Sequence, residues 1–231
     1  MGKVKLRVNL GEKILEILSK DVFWDRFPIV IEDYIACNPA VGGGFPNVEF
    51  KVQKGGKVEF LYYCGMRLTK EGSFRGVEIH HSVASDKIEA QMVDTGFFVG
   101  EQYAKAGYRG YYDVDFIAGR GGELFVTESN VRRTGGTHVY AVASRLFGKE
   151  FMYETYTLSC NTYPLPEGKT FTFTTLLETL KPVLYDKKTR EGVILVSENM
   201  LEMVQMQYII FGQNKKRALE LEAEMEELLH S

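Results

Sequence analysis

Alternating apolar and polar positions recur along the chain and predict antiparallel hairpins. Asn47–Val52 and Lys57–Cys64 alternate around a Lys-Gly-Gly turn, and Tyr111–Ile117 and Glu123–Asn130 alternate around a glycine-rich turn at 118–122. Runs rich in Val, Phe, Tyr and Thr that flank short glycine-containing turns are typical of β-hairpins. The sequence therefore predicts a sheet with antiparallel strands.

Helical spacing appears between and after these hairpins. Ser85–Ala106 carries apolar residues at intervals typical of one helix or a broken pair, and Thr137–Phe147 has a helical stripe that Gly148 would end. Asn214–His230 is a strong helix former with one apolar face. With only about two heptads, it is interpreted as a helix that caps a domain rather than as a coiled coil. Helices with antiparallel hairpins predict an α+β fold.

The pattern of apolar and polar positions changes in the second part of the chain. Prolines and a glycine at 164–168 interrupt the pattern, and a strand is expected at Glu191–Ser197. Tyr208–Phe211, with the three methionines before it, is interpreted as a soft apolar surface. We therefore divide the chain into residues 1–150 and a C-terminal α/β extension, residues 151–231, that ends in a helix.

Composition narrows the function classes. The 231 residues are 45% hydrophobic and 26% charged, which is ordinary for a folded domain, and the net charge of −3 argues against a nucleic-acid partner. Three scattered cysteines without metal-binding spacing favour reduced thiols and a cytoplasmic protein. No apolar stretch approaches the roughly 18 residues of a membrane span, and no signal peptide is expected.

The second hairpin concentrates oxygen ligands. Side chains alternate along a strand, so Asp113 and Asp115 share one face, and Glu128 shares a face with Asn130. A register symmetric about the turn places Asp113 opposite Glu128 and Asp115 opposite Val126. All four polar side chains would then converge, and a hard cation such as Mg²⁺ would relieve the repulsion between the carboxylates.

Cationic and flexible residues follow the acidic ones at once. Arg132 and Arg133 offer guanidinium groups that match phosphate oxygens, and Gly135 and Gly136 let backbone N–H groups approach a ligand. Thr137 is placed to cap the helix that begins there. The alternative is an ordinary half-exposed hairpin with a solvated acidic face, but the order of acids, amide and arginines favours a polyphosphate site.

These residues carry a family resemblance. Glu128-Ser-Asn130-Val-Arg132 after Asp115-Phe116 resembles the second catalytic block of the ATP-grasp superfamily, and the run Glu128–His138 most resembles the pheganomycin-type peptide ligases. The resemblance implies that Asp115, Glu128 and Asn130 hold Mg²⁺, or Mn²⁺, against the phosphates of ATP.

The same resemblance assigns the arginines. It implies that Arg132 contacts phosphate or an acyl phosphate. Some related ligases have an arginine two residues before the metal-binding aspartate, where this chain has Asp113. The role of that arginine would therefore pass to Arg132 or Arg133.

Two further segments resemble parts of ATP-grasp enzymes. Phe27–Ile35 is similar to the hinge strand that contacts adenine, which implies base contacts at Glu32, Asp33, Tyr34 and Ile35; its alternative is a buried strand that ends in a charged turn. Phe74-Arg75-Gly76 resembles the small loop of the same lobe.

The resemblance covers the C-terminal lobe of an ATP-grasp enzyme. Upstream of Glu32 we find no glycine-rich loop and no lysine in a phosphate-binding context, so the N-terminal lobe is expected from elsewhere, in cis or in trans. The implied function is half of an ATP-dependent carboxylate–amine ligase that joins amino acids or peptides, with a homo-oligomer also conceivable. The alternatives are a non-catalytic nucleotide- or metal-binding or assembly module, and a structural Ca²⁺ site.

Overall fold

The computed structural model describes residues 10–20 and 33–231. It divides the chain into two compact units, Met1–Ile35 and Ala36–Ser231. The described part of the first unit contains helix α1 (Leu10–Leu18). Among the described residues, no helix is long and apolar enough to cross a membrane.

The second unit is built on one sheet of eight strands in the order β5-β4-β1-β2-β3-β6-β8-β7. All neighbouring strands are antiparallel. The strands are β1 (Pro46–Val52), β2 (Val58–Leu68), β3 (Phe74–Ile79), β4 (Gly110–Ala118), β5 (Leu124–Glu128), β6 (Tyr156–Pro164), β7 (Gly192–Ser197) and β8 (Gln205–Gly212).

Five helices accompany the sheet and cover two separate apolar clusters. One cluster lies among β1–β4, the first three of these helices and two residues of β8, and the other lies among β6–β8 and the last two helices. The helices are α2 (Asp86–Lys105), α3 (Thr137–Phe147), α4 (Phe151–Glu154), α5 (Phe173–Leu180) and α6 (Lys215–His230). The predicted α+β fold, with an extension that ends in a helix, is confirmed.

Helix α2 lies unusually close to the sheet because two of its residues lack side chains. A Cβ at Gly96 would stand 2.0 Å from the Phe50 ring, and one at Gly100 would stand 1.9 Å from the Tyr112 hydroxyl. Phe50 and Tyr112 stack on each other from adjacent strands, with ring centroids 5.5 Å apart. The glycines thus let two buried aromatic rings fill the space between helix and sheet.

Most predicted elements are confirmed, with differences in three places. The residues Phe74–Gly76 begin strand β3 rather than a loop. Tyr208–Phe211 is fully buried in β8 instead of forming a soft surface, since α6 packs on one face and Phe147 and Tyr185 pack on the other. The apolar pattern of that segment is typical of a strand buried on both faces, which alternation alone does not reveal.

The register of the acidic hairpin also differs from the prediction. Asp115 is paired with Glu128, and Phe116 with Val126. The pairs beside the turn, such as Ala118 with Leu124, are already one residue away from the symmetric register, and a bulge between Asp115 and Phe116 adds a second residue. An extra residue on one strand shifts every later pair by one. The symmetric register, with Asp113 opposite Glu128, is therefore wrong.

The sheet runs on past residue 150. Strand β6 pairs with β3, so the strands of residues 151–231 continue those of the earlier part. Whether residue 150 separates two evolutionary or functional domains stays a prediction.

Candidate functional site

The acidic residues of β4 meet an amide from β1. In the antiparallel ladder Asn47 stands opposite Asp115, and Glu49 opposite Asp113. The Asn47 Nδ2 donates to Asp113 Oδ2 at 3.0 Å and also to Asp115 Oδ1. One amide therefore holds both carboxylates on the same face of the sheet, as the alternation of β4 predicts.

The end of β5 completes the cluster. The Asn130 Nδ2 donates to Asp115 Oδ2 and to Glu128 Oε1, each at 3.2 Å. The Asn130 backbone N–H donates to Asp113 Oδ1 at 2.8 Å. Asp113, Asp115, Glu128 and Asn130 thus converge as predicted, although through the shifted register. Asp113 differs in its contacts, because its carboxylate accepts from the backbone N–H of Asn130.

Burial makes this concentration of charge costly. Asp113 is 3% exposed and Asp115 is 7% exposed, whereas Glu128 is exposed. Burial, followed by the charges of Asp113 and Glu128, raises the pKa of Asp115 to about 7. Burial also raises the pKa of Asp113. Within the described ranges, none of these three carboxylates forms an ion pair with a lysine or arginine.

The two arginines take different positions. The Arg132 Nη2 donates to Asn130 Oδ1 at 2.9 Å, and Arg132 lines the same cavity as the acids. The Arg133 guanidinium lies over the Tyr111 ring, 5.2 Å from its centroid, and does not line that cavity. The structure therefore brings Arg132, and not Arg133, to the acidic cluster.

A buried carboxylate that the sequence analysis did not single out supports the loop after the arginines. Glu49 is 0% exposed and accepts hydrogen bonds from the hydroxyls of Tyr62, Thr134 and Thr137. Burial raises the pKa of Glu49 despite these donors. Polar Asn47 and Glu49 at alternate positions of an apolar strand were a signal that could have located both residues.

The acidic cluster, Asn47 and Arg132 line a cavity of about 430 Å³. Its acidic end is formed by β1, β4 and β5, and its other walls come from β2, β3 and the 134–136 loop. The lining residues are Asn47, Tyr62, Met66, Phe74, Val77, Asp113, Asp115, Glu128, Asn130, Arg132, Thr134, Gly135, Gly136 and Asn161.

The predicted adenine-binding residues are only partly described. Glu32 lies outside the described residues. Asp33–Ile35 has no regular secondary structure, and the Tyr34 side chain is 93% exposed. Base contact at Glu32, Asp33, Tyr34 and Ile35 therefore stays a prediction.

The donor set fits a cation that keeps part of its coordination for water or phosphate. In the described part of the chain, no three carboxylate, histidine or cysteine side chains form a ready metal cage. Mg²⁺ does not require one, because it commonly uses one or two carboxylates and completes its shell with substrate phosphates and water. Asp115 and Glu128 share the Asn130 amide as a hydrogen-bond donor, and Asn130 can instead present its oxygen.

Comparisons with known proteins identify the fold. No family model and no curated protein matches the sequence. N5-carboxyaminoimidazole ribonucleotide synthetase from Thermus thermophilus matches over 95% of this chain and 58% of its own, with a TM-score of 0.65 and 14% identity.

Two nucleotide complexes match as well. Biotin carboxylase from Campylobacter jejuni, in a β-γ-ATP complex, matches over 82% of this chain and 45% of its own, with a TM-score of 0.57 and 12% identity. Carboxyaminoimidazole ribonucleotide synthase from Aspergillus clavatus, complexed with ATP, matches over 86% of this chain and 52% of its own, with a TM-score of 0.56 and 10% identity. The chain spans about half the length of these proteins. The likeness shows that it has the fold of these ATP-grasp enzymes.

Proposed function

We propose that this chain is the Mg²⁺- and ATP-binding, C-terminal part of a carboxylate–amine ligase that acts on amino acids or peptides through an acyl phosphate. The observation that carries the proposal is the acidic cluster of buried Asp113 and Asp115 with exposed Glu128, which forms no ion pair within the described ranges and has Arg132 beside it in one cavity. A protein gains no stability from burying like charges together, so their retention favours a cationic ligand. The fold of ATP-grasp enzymes supports nucleotide phosphates as the ligand that binds together with this cation.

Each residue has a distinct part in this proposal. Asp115, Glu128 and Asn130 would hold Mg²⁺, which neutralises phosphate charge and polarises the γ-phosphoryl group. Arg132 has guanidinium N–H groups left to donate to phosphate or acyl-phosphate oxygens beyond its bonds to Asn130 and the Arg133 carbonyl. Asp113 and Asn47 would keep the ligands in place. A role for Arg133 on phosphate stays a prediction.

The reaction is two successive displacements. A substrate carboxylate oxygen attacks the γ-phosphorus, and ADP leaves with the electrons of the broken P–O bond. An amine then attacks the acyl carbon, loses a proton, and phosphate leaves, so that an amide forms. The protein's contribution is positioning and electrostatic stabilisation, because no covalent bond to the enzyme is needed.

Binding of Mg²⁺ and ATP tests the first half of the proposal. Calorimetric titration of the full chain with ATP should show saturable binding in MgCl₂ and at least tenfold weaker binding in EDTA. Glu128→Gln should weaken the binding at least tenfold. The matched control is Glu123→Gln, which removes the same charge from an exposed position of the same hairpin and should leave the affinity unchanged.

The outcomes separate the alternatives. Binding of Ca²⁺ without any nucleotide affinity would favour a structural calcium site. No saturable metal-dependent ATP binding, or equal binding by Glu128→Gln, would overturn the proposal. A complementary N-terminal lobe, expected in cis or in trans, should be added in a parallel titration.

Isotope transfer tests the second half. With a carboxylic acid labelled by ¹⁸O in its carboxyl group, acyl-phosphate chemistry must carry one ¹⁸O into the released phosphate, as mass spectrometry detects. ATP binding without any transfer, with the complementary lobe present and across a panel of acids and amines, would favour a non-catalytic nucleotide-binding module.

A further inference from the structure

The cavity that holds the acidic cluster has a second, apolar end. Met66, Phe74 and Val77 line it from β2 and β3, whereas the acids line it from β4 and β5. Three strand spacings separate β4 from β3 in the sheet order, which is about 14 Å at the usual spacing between strands. Charge and apolar surface are thus laid out along one cavity rather than mixed.

Phe74 is the most distinctive residue of the apolar end. Its side chain is 40% exposed at the start of β3 and lines the cavity beside Met66 and Val77. The 134–136 loop lies against it: a Cβ at Gly135 would stand 2.7 Å from the Phe74 ring and 2.8 Å from Asn161 Nδ2. Only a glycine at 135 therefore lets the ring remain beside this loop.

Asn161 keeps this wall in place from β6. Its Nδ2 donates to the Gly135 carbonyl at 3.1 Å. The neighbouring Gly136 packs on Tyr62, where a Cβ would stand 2.2 Å from the hydroxyl oxygen. The loop that carries Arg132 toward the acids is thus the same loop that borders the exposed ring.

We propose that Phe74, with Met66 and Val77, forms a specificity subsite for the uncharged, apolar body of the carboxylic acid whose carboxyl group lies at the acidic end. This inference rests on the proposed function for the position of the carboxyl group. A second carboxylate on the substrate would lose its hydration against Phe74. The subsite therefore selects against diacids and for acids with hydrocarbon bodies.

A pair of acids of equal length tests the subsite. Hexanoate and adipate differ only in the far end of the molecule, and adipamate is the neutral polar intermediate. Their dissociation constants for the full chain in MgCl₂ are measured by ligand-observed NMR, with and without ATP. Hexanoate is expected to bind about tenfold more tightly than adipate, with adipamate between them.

Variants assign the preference to the ring. Phe74→Ala should reduce hexanoate binding about fivefold to tenfold and leave adipate unchanged, and Phe74→Leu should retain most of the preference. Phe125→Ala is the matched control, because Phe125 is equally exposed at 39% but lies on β5 outside the cavity. Gly135→Ala should lower hexanoate affinity by displacing the ring, which provides a second test if Phe74→Ala does not fold.

Each result has a definite meaning. Adipate binding as tightly as hexanoate, no binding of any of the three acids, or an unchanged preference in folded Phe74→Ala would overturn the subsite. The acid comparison without nucleotide does not depend on ATP affinity. Loss of the acid preference with intact Mg²⁺-dependent ATP binding would therefore reject the subsite alone. An intact acid preference without Mg²⁺-dependent ATP binding would reject the proposed function.

Discussion

Buried carboxylates occur at two places in the sheet, and the two places neutralise them differently. Around Glu222 of α6, which is 7% exposed, Arg67 Nη2 lies 2.7 Å from both carboxylate oxygens, and the Tyr208 hydroxyl donates as well. Arg67 also donates to the Ser159 carbonyl, and Arg75 lies within 3.8 Å. This cluster, the Glu222 cluster, carries its own cations.

The cluster of Asp113, Asp115 and Glu128 is the opposite case. Its buried carboxylates are partnered by amides and backbone N–H groups, and it opens into a cavity. The Glu222 carboxylate is instead paired with Arg67 and Arg75 between α6 and the sheet, and of this cluster it is the cation Arg75 that lines a cavity of about 500 Å³. Both clusters contain buried carboxylates, so burial does not distinguish them. The difference teaches that a candidate binding site is recognised by buried carboxylates that lack cationic partners, whereas a structural polar cluster contains such partners.

The largest effect is expected where a cation loses its partner. Glu222→Gln should lower the free energy of unfolding by about 3 kcal/mol, because Arg67 then stays buried without a counter-charge. Urea denaturation measures this change. Glu220→Gln is the control, since Glu220 lies on the same helix in exposed ion pairs and should change stability by less than about 0.5 kcal/mol. Equal effects of the two variants would remove the distinction between the clusters.

An effect of similar size but opposite sign is expected when a cation is supplied to the acidic cluster. Mg²⁺ at 100 times its dissociation constant should raise the free energy of unfolding by about 2.7 kcal/mol, by mass action on the folded state. Urea denaturation in MgCl₂, against NaCl of equal ionic strength, measures it. No difference between the salts, or an equal gain in Glu128→Gln, would contradict the assignment of the site.

Removing a charge from the acidic cluster should stabilise the metal-free protein. The pKa of Asp115 is raised from 3.8 to about 7 on folding, so its contribution to stability is fully present below pH 4 and is lost as the pH rises through 7. In EDTA, the free energy of unfolding of Asp115→Asn should therefore be about 2 kcal/mol higher than that of the wild type at pH 8, and the two should be equal at pH 4. A variant that is less stable than the wild type at pH 8 would show that the carboxylate is structurally required, as in the Glu222 cluster.

The smallest effect on stability is expected at Arg132. Arg132 is exposed, and among the described residues its guanidinium donates to the Asn130 side chain and the Arg133 carbonyl, so Arg132→Ala should change the free energy of unfolding by less than about 0.5 kcal/mol. The same variant should weaken Mg²⁺–ATP binding about tenfold, because a phosphate contact is lost. Arg133→Ala, which removes a cation from the Tyr111 ring, serves as the comparison. An equal loss of Mg²⁺–ATP affinity in the two variants would show that Arg133 also contributes to the site.

Local signals made most of the elements predictable. The hairpins at 47–64 and 111–130 follow from alternation and glycine turns, and α3 ends at Gly148, whose φ of 84° favours glycine. Buried Ala218, Leu221, Met225 and Leu229 confirm the apolar stripe that was read for α6. Such patterns are local in the chain, so they need no knowledge of the partner strands.

The sequence by itself also determined which chemistry is concentrated between Asp113 and Arg132, because acids, amide and arginine follow one another within 20 positions. Only the tertiary structure decided how they meet. An offset at the turn and the bulge after Asp115 together changed the register, and the pairing of β1 with β4 brought Asn47 and Glu49, more than 60 residues away, to the same face. The Arg67–Glu222 pair spans 155 residues in the same way. Strand order and register are set by packing over the whole sheet, and that information is absent from any single segment.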